Sequence, residues 1–144
     1  MGQTDMPLNA HGLEQADQAV EALKTFDIDA IYSSSLQRCR QTTDLLSKKL
    51  KLPVTGIDDL KERHWGTLEG KHKSERDPTK NPLDGETHIE FEHRVARTIK
   101  AVGTSVGRPL IVTHSGVIKV VWKTYCQSPL QAPIPHVCPI EITL

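Results

Sequence analysis

Pro109-Leu110-Ile111-Val112-Thr113-His114-Ser115-Gly116 is the stretch whose reading decides the fold. Leu110, Ile111 and Val112 form a short apolar run rich in β-branched side chains, as in a strand covered on both faces of a parallel sheet. Gly116 then permits a tight turn, and Val117, Ile118, Val121, Trp122 and Tyr125 recur at helical spacing. A strand that stops on a histidine and turns into a helix puts His114 on the carboxyl rim of the sheet. Open α/β sheets bind ligands at that rim, and helix N-termini favour anions. On these eight residues alone, the same histidine serves equally as a helix cap or as the partner of a nearby carbonyl.

Working outward, strand and helix alternate. Thr87-His88-Ile89-Glu90 fits a capping box, and Phe91, Val95, Ile99 and Val102 carry the helix it opens to about Gly103. Val54 to Ile57, after Pro53, predicts a short strand at a sheet edge. Leu36, Arg38, Cys39, Thr42, Leu45, Leu46 and Leu50 predict a helix, preceded by the strand Ala30-Ile31-Tyr32-Ser33 and a turn at Ser33-Ser34-Ser35. Asn9 caps a helix bearing Leu13, Ala16, Val20, Leu23 and Phe26. Met1 to Leu8 is polar and irregular, and Asp58 to Gly85 is a charged loop interrupted by Pro78 and Pro82. Ser128 to Pro135 is too proline-rich for regular structure, and Val137, Ile140, Ile142 and Leu144 predict a last strand.

This order predicts an α/β fold with three layers, a mostly parallel sheet carrying helices on both faces, in a single domain over residues 1–144. A chain that begins in a loop and finishes on an apolar strand reads as such a domain incomplete at the N-terminus, with the C-terminus open to the same reading.

Lys+Arg 18 balances Asp+Glu 18, so any anion site is local, and no global field argues for nucleic acid or an anionic membrane. No apolar segment is long enough for a bilayer, and the N-terminus lacks a signal-peptide pattern. Position 6 is Met6, where a myristoylation signal after Gly2 wants Ser or Thr. Cys39, Cys126 and Cys138 are widely spaced and odd in number, which fits free thiols in a reducing, cytoplasmic compartment.

There is no phosphate-cradling glycine loop, dinucleotide fingerprint or Gly-x-Ser-x-Gly elbow. None of the seven histidines stands at a zinc-site spacing, so neither metal nor cofactor is expected, and His72, His88, His93 and His136 read as solvated. Cys39 reads as a small core residue despite its neighbour Arg38. Three polar residues follow predicted strands: Arg38, Glu62 and His114. A guanidinium, a carboxyl and an imidazole gathered on one rim hold a phosphate and protonate a leaving oxygen; taken singly, they are an ion-pair partner, a loop acid and a helix cap.

With their neighbours these residues resemble the histidine phosphatase superfamily, the group that includes phosphoglycerate mutases and broad-specificity phosphatases. The resemblance is collinear. It runs through Gly2-Gln3-Thr4-Asp5-Met6-Pro7-Leu8 with Gly12 and Gln15-Ala16, then Ser33 to Arg38 with Gln41-Thr42. It continues through Leu60-Lys61-Glu62 with Gly66 and Glu69-Gly70, then Gly85-Glu86-Thr87 with Arg94-Val95, and ends at Thr113-His114-Ser115-Gly116. In that family a histidine attacks the phosphoryl group to form a phosphohistidine, two arginines and a second histidine surround the phosphate, and a glutamate protonates the leaving oxygen.

The resemblance implies that Arg38 holds phosphate, that Glu62 is the proton donor and that His114 is the second histidine. Gly2, Arg63, His64, Ser115 and Gly116 fall where the mutases line their substrate. The implied partner is a small phosphorylated metabolite or inorganic phosphate. The family's first strand and Arg-His-Gly motif should precede Gly2. Without that nucleophile the expectation is a phosphomonoesterase of this type that is inactive as these 144 residues. The alternatives are a non-catalytic phosphate- or protein-binding module, or a mutase-like isomerase in a longer form. The lack of paired arginines between Glu62 and Gly85 favours phosphatase over mutase. Because the family's sheet sets its first strand beside the one ending at His114, three outcomes are expected: the strand from Val137 to Leu144 moves in, a second copy fills the slot as a homo-oligomer, or the domain is marginal.

Overall fold

The computed structural model describes residues 1–77, 79–105, 107–126, 130, 134, 136–137 and 139–143. Pro78, Cys138, Leu144 and most of the passage from Ser128 to Pro135 lie outside that set. Helix α1 spans Ala10–Leu23 and opens as predicted, with Asn9 accepting from the Gly12 N–H. Strand β1 covers Ala30–Ser34, so only Ser35 and Leu36 make the turn into α2, Gln37–Leu50. Leu36 cannot cap that helix with its side chain. The cap comes from far away: the Asp5 carboxylate accepts from the Gln37 N–H at 2.6 Å.

Strand β2, Val54–Ile57, is followed by single 3-10 turns at Asp58–Leu60, Gly66–Leu68 and Lys73–Glu75 within the charged loop. Helix α3, His88–Gly103, has the full capping box between Thr87 and Glu90. Strand β3, Pro109–Val112, then leads through Thr113 and His114 into α4, Ser115–Tyr125.

The sheet is parallel, in the order β2-β1-β3, with Ile31 beside Leu110 and Tyr32 beside Ile111. The two-residue period of the strands assigns the faces. Ile31, Leu110 and Val112 pack with Val20, Leu23 and Leu46 of α1 and α2. Tyr32 and Ile111 pack with Phe91, Val95 and Ile99 of α3 and Val117, Val120 and Val121 of α4. Three layers result, as the alternation of elements predicts.

Two expectations are corrected. Residues 139–143 form no strand; Ile142 packs on the α3–α4 core and Glu141 pairs with Arg108. The last strand therefore does not fill the slot beside β3, whose one strand partner among the described residues is β1, and all four β3 residues are half-buried. Gly116 makes no turn, because it is the second residue of α4. A Cβ there would stand 2.0 Å from the Glu62 carboxylate, so the glycine is needed for a close approach.

Candidate functional site

The three chemical side chains come together. His114 ends the segment after β3 and is 8% exposed. Arg38 lies in the first turn of α2, where the distant Asp5 cap fixes its backbone, and its Nε donates to His114 Nδ1 at 3.3 Å. Since Nδ1 accepts, the ring proton sits on Nε2, which donates to Ser34 Oγ at 2.8 Å. Burial first, and then the guanidinium groups of Arg38 and Arg94, push the imidazole down from its usual 6.5 to about 3. His114 is thus a neutral ring of fixed orientation.

Glu62 arrives from the loop beyond β2. Its Oε2 accepts from the Gly116 N–H at 2.9 Å and its Oε1 from the Arg63 N–H at 2.9 Å, so it caps α4 two residues past His114. Thr113 donates to the Leu60 carbonyl at 2.7 Å, tying the end of β3 to the same loop. The loop is clamped from behind by Arg94. That guanidinium makes paired 2.7 Å bonds to the Glu86 carboxylate and also donates to the carbonyls of Asp59 and Lys61.

The residues expected around these three divide into two groups. Gly2 is buried, and its carbonyl accepts from Arg38 Nη2 at 2.8 Å; Thr4 contributes a second carbonyl to Nη1 at 3.0 Å. Ser115 is exposed and Gly116 half-buried on the first turn of α4. His64 is half-buried on an open cavity of about 600 Å³, shared with Gln3, Glu86, His93, Arg94 and Arg97. Arg63 behaves differently. It is 3% exposed, donates to the carbonyls of Glu86 and Lys80, and lies 4.6 Å over the Trp65 ring. Its guanidinium is a strut of the acid loop.

Cys39 is the core residue expected from its place on an amphipathic helix. Its thiol also lies 3.6 Å from His114 Nε2, and burial pushes it up to about 11. Among the described residues no cluster of His, Cys, Asp and Glu suits a metal, and no helix is long and apolar enough to cross a membrane. Local sequence pattern carries no sign of Ser34 as the imidazole's partner or of Asp5 as the α2 cap, because each acts on a residue more than 30 positions away in the chain.

A family model for the histidine phosphatase superfamily (branch 1) matches residues 1–140. The uncharacterized phosphatase PhoE of Bacillus subtilis is 34% identical over 122 residues, covering 81% of this chain and 63% of its own. A metal-independent phosphoserine phosphatase of Arabidopsis thaliana is 31% identical, with 88% of this chain and 61% of its own covered. The chain therefore spans about three fifths of the length of these curated relatives. Among solved structures, the alpha-ribazole phosphatase from Shigella flexneri superposes with a TM-score of 0.75 at 28% identity, covering 89% of this chain and 71% of its own.

Proposed function

This chain belongs to the histidine phosphatase superfamily, and from that premise we propose that it carries the phosphate-holding and proton-donating part of a phosphomonoesterase site. The substrate class is a small phosphorylated metabolite. Arg38 and His114 receive the phosphoryl group, Glu62 protonates the leaving oxygen, and Gly2, His64, Ser115 and Gly116 form the surrounding wall. The observation that supports this reading best is the convergence of Arg38 and His114 at 3.3 Å, with Glu62 bonded to α4 at Gly116.

The arrangement suits anion binding. A preset guanidinium and the first turn of a helix face the same rim, and such groups need little reorganisation when charge arrives. His114 is held through both ring nitrogens, by Arg38 and Ser34, and no Arg-His-Gly stands in the 144 residues. The chain by itself accordingly binds phosphate as a single domain without turning an ester over. The widely spaced, unpaired pattern of its cysteines supports a reducing compartment such as the cytoplasm.

The test has two arms. Calorimetry with inorganic phosphate gives saturable binding, and Arg38→Ala weakens it at least tenfold. p-Nitrophenyl phosphate is hydrolysed by these 144 residues no faster than by buffer. Heat no larger than dilution at millimolar phosphate refutes the binding role, and turnover abolished by His114→Ala refutes the inactivity.

A further inference from the structure

On the reading that Arg38 holds phosphate, we propose that Glu69 is a positioning residue, acting on Arg38 through the peptide group between Gly2 and Gln3. The Glu69 carboxylate takes four hydrogen bonds. Oε1 accepts from the backbone N–H groups of Gln3 at 2.8 Å and Trp65 at 2.9 Å. Oε2 accepts from the Thr4 N–H at 3.2 Å and the Thr4 hydroxyl at 2.9 Å.

The Gln3 N–H and the Gly2 carbonyl belong to one planar trans peptide and point in opposite directions. The carbonyl accepts Arg38 Nη2 at 2.8 Å while the N–H meets Glu69. One rigid unit is therefore gripped by a carboxylate on one side and a guanidinium on the other. Bonds in such a chain polarise and strengthen one another. Turning the peptide over breaks both at once, so fixing its N–H on Glu69 fixes where Arg38 is aimed.

Gly2 shows how closely the parts fit. It is buried at a φ of 77°, and a Cβ would come within 2.2 Å of Glu69 Oε1. The Gln3 side chain extends the same connection to the acid loop, donating to the Glu62 carbonyl at 3.0 Å. Burial opposes the charge on Glu69, yet the donors from Trp65, Gln3 and Thr4 together outweigh it and hold the carboxyl below its usual range. Glu69 is thus an anion at neutral pH.

The experiment uses the 144-residue chain with Glu69→Gln, Thr4→Val and, as a control for lost stability alone, Glu90→Gln in the α3 capping box. The Arg38 side-chain Nε–H resonance is recorded without ligand, and the affinity for inorganic phosphate is measured by calorimetry. Glu69→Gln is expected to move the Arg38 resonance toward its solvent-exposed position and to weaken phosphate binding about tenfold. Thr4→Val, which removes one of the four bonds, gives a smaller change in the same direction even if Glu69→Gln fails to fold. Glu90→Gln changes neither reading, and in an Arg38→Ala background Glu69→Gln adds less than twofold. An unmoved resonance in both site variants, or a full loss of affinity in the Arg38→Ala background, overturns the proposal. Should the parent chain bind no phosphate, the phosphomonoesterase reading falls, while the ligand-free resonance still decides the role of Glu69.

Discussion

Lowering the pH toward 5 should destabilise this protein through His114, by an amount that its surroundings fix. The imidazole is held near 3 in the folded chain and returns to about 6.5 when unfolded. Between those values the unfolded state binds the extra proton. Stability is therefore complete above pH 6.5 and is lost as the pH falls toward 3. At pH 5 the unfolded ring is almost fully protonated and the folded one is not, which gives a loss of about 2 kcal/mol relative to pH 7.5. At pH 4 the loss grows to about 3 kcal/mol by the same linkage.

Urea unfolding at pH 7.5, 6 and 5, run in parallel on the parent and on His114→Gln, isolates this contribution. The substitution shifts stability by a constant offset and removes the titration. Carboxylates held below their usual range, such as Glu69 and Glu92, lose stability in both proteins as the pH falls, so they cancel in the difference. The expected difference shrinks by about 2 kcal/mol between pH 7.5 and 5. A difference that stays flat within about 0.5 kcal/mol refutes the neutral, buried imidazole, because a ring that protonates freely in the fold has no linkage to lose.

Arrival of a phosphate dianion beside that ring should raise its affinity for a proton. Calorimetric heats of phosphate binding at pH 6 should then vary with the ionisation enthalpy of the buffer, and His114→Gln should change the number of protons exchanged, leaving only the part that comes from the phosphate's own ionisation. Glu86→Gln strands Arg94, whose side chain is 15% exposed, and should cost about 3 kcal/mol in urea unfolding. Gly66→Ala forces a side chain into a φ of 51° with its Cβ 2.0 Å from the Leu83 carbonyl and should cost at least about 2 kcal/mol; Gly56→Ala, which meets nothing within 4 Å, should change stability by less than about 1 kcal/mol. Iodoacetamide at pH 8 should leave Cys39 unmodified in the folded chain, because its thiol is buried and held near 11, and should label it after urea unfolding, as peptide mapping would show.

What local pattern can encode was readable in advance. Apolar periodicity places the four α-helices, with α1 ending at Leu23 three residues before the expected Phe26, and the Asn9 cap and the Thr87–Glu90 box mark two starts that the structure reproduces. The final strand was misread because Val137, Ile140 and Ile142 have strand-like spacing but no ladder partner. Ile142 instead buries its side chain against the α3–α4 core, and burial of one apolar group satisfies a periodic pattern as well as a strand does. Gly116 was misread for a related reason. A glycine is required both by a left-handed turn and by a close approach, and only the position of Glu62, 54 residues away, distinguishes them.

The site followed the same division. Arg38, Glu62 and His114 are singled out in the sequence by their places after strands and by the resemblance, and the structure brings them together, whereas the groups that hold them are hidden by separation along the chain. The Gly2 and Thr4 carbonyls and the His114 ring already take three of the guanidinium's five N–H groups. On the proposed reading a phosphate would add to an arginine that is already aimed, and little conformational entropy would be lost on binding. His114 is neutral in the free protein, so the second positive charge of the proposed site would appear only with the anion. On that reading a proton taken up at Nδ1 would couple affinity to pH; it would give up the bond from Arg38 Nε, while the contacts of Arg38 with Gly2 and of His114 with Ser34 would remain. On the proposed reading the anion site would thus combine one permanent cation, Arg38, with one ring that becomes a cation only when phosphate is bound, and the pH dependence of phosphate affinity would tell an occupied rim from an empty one.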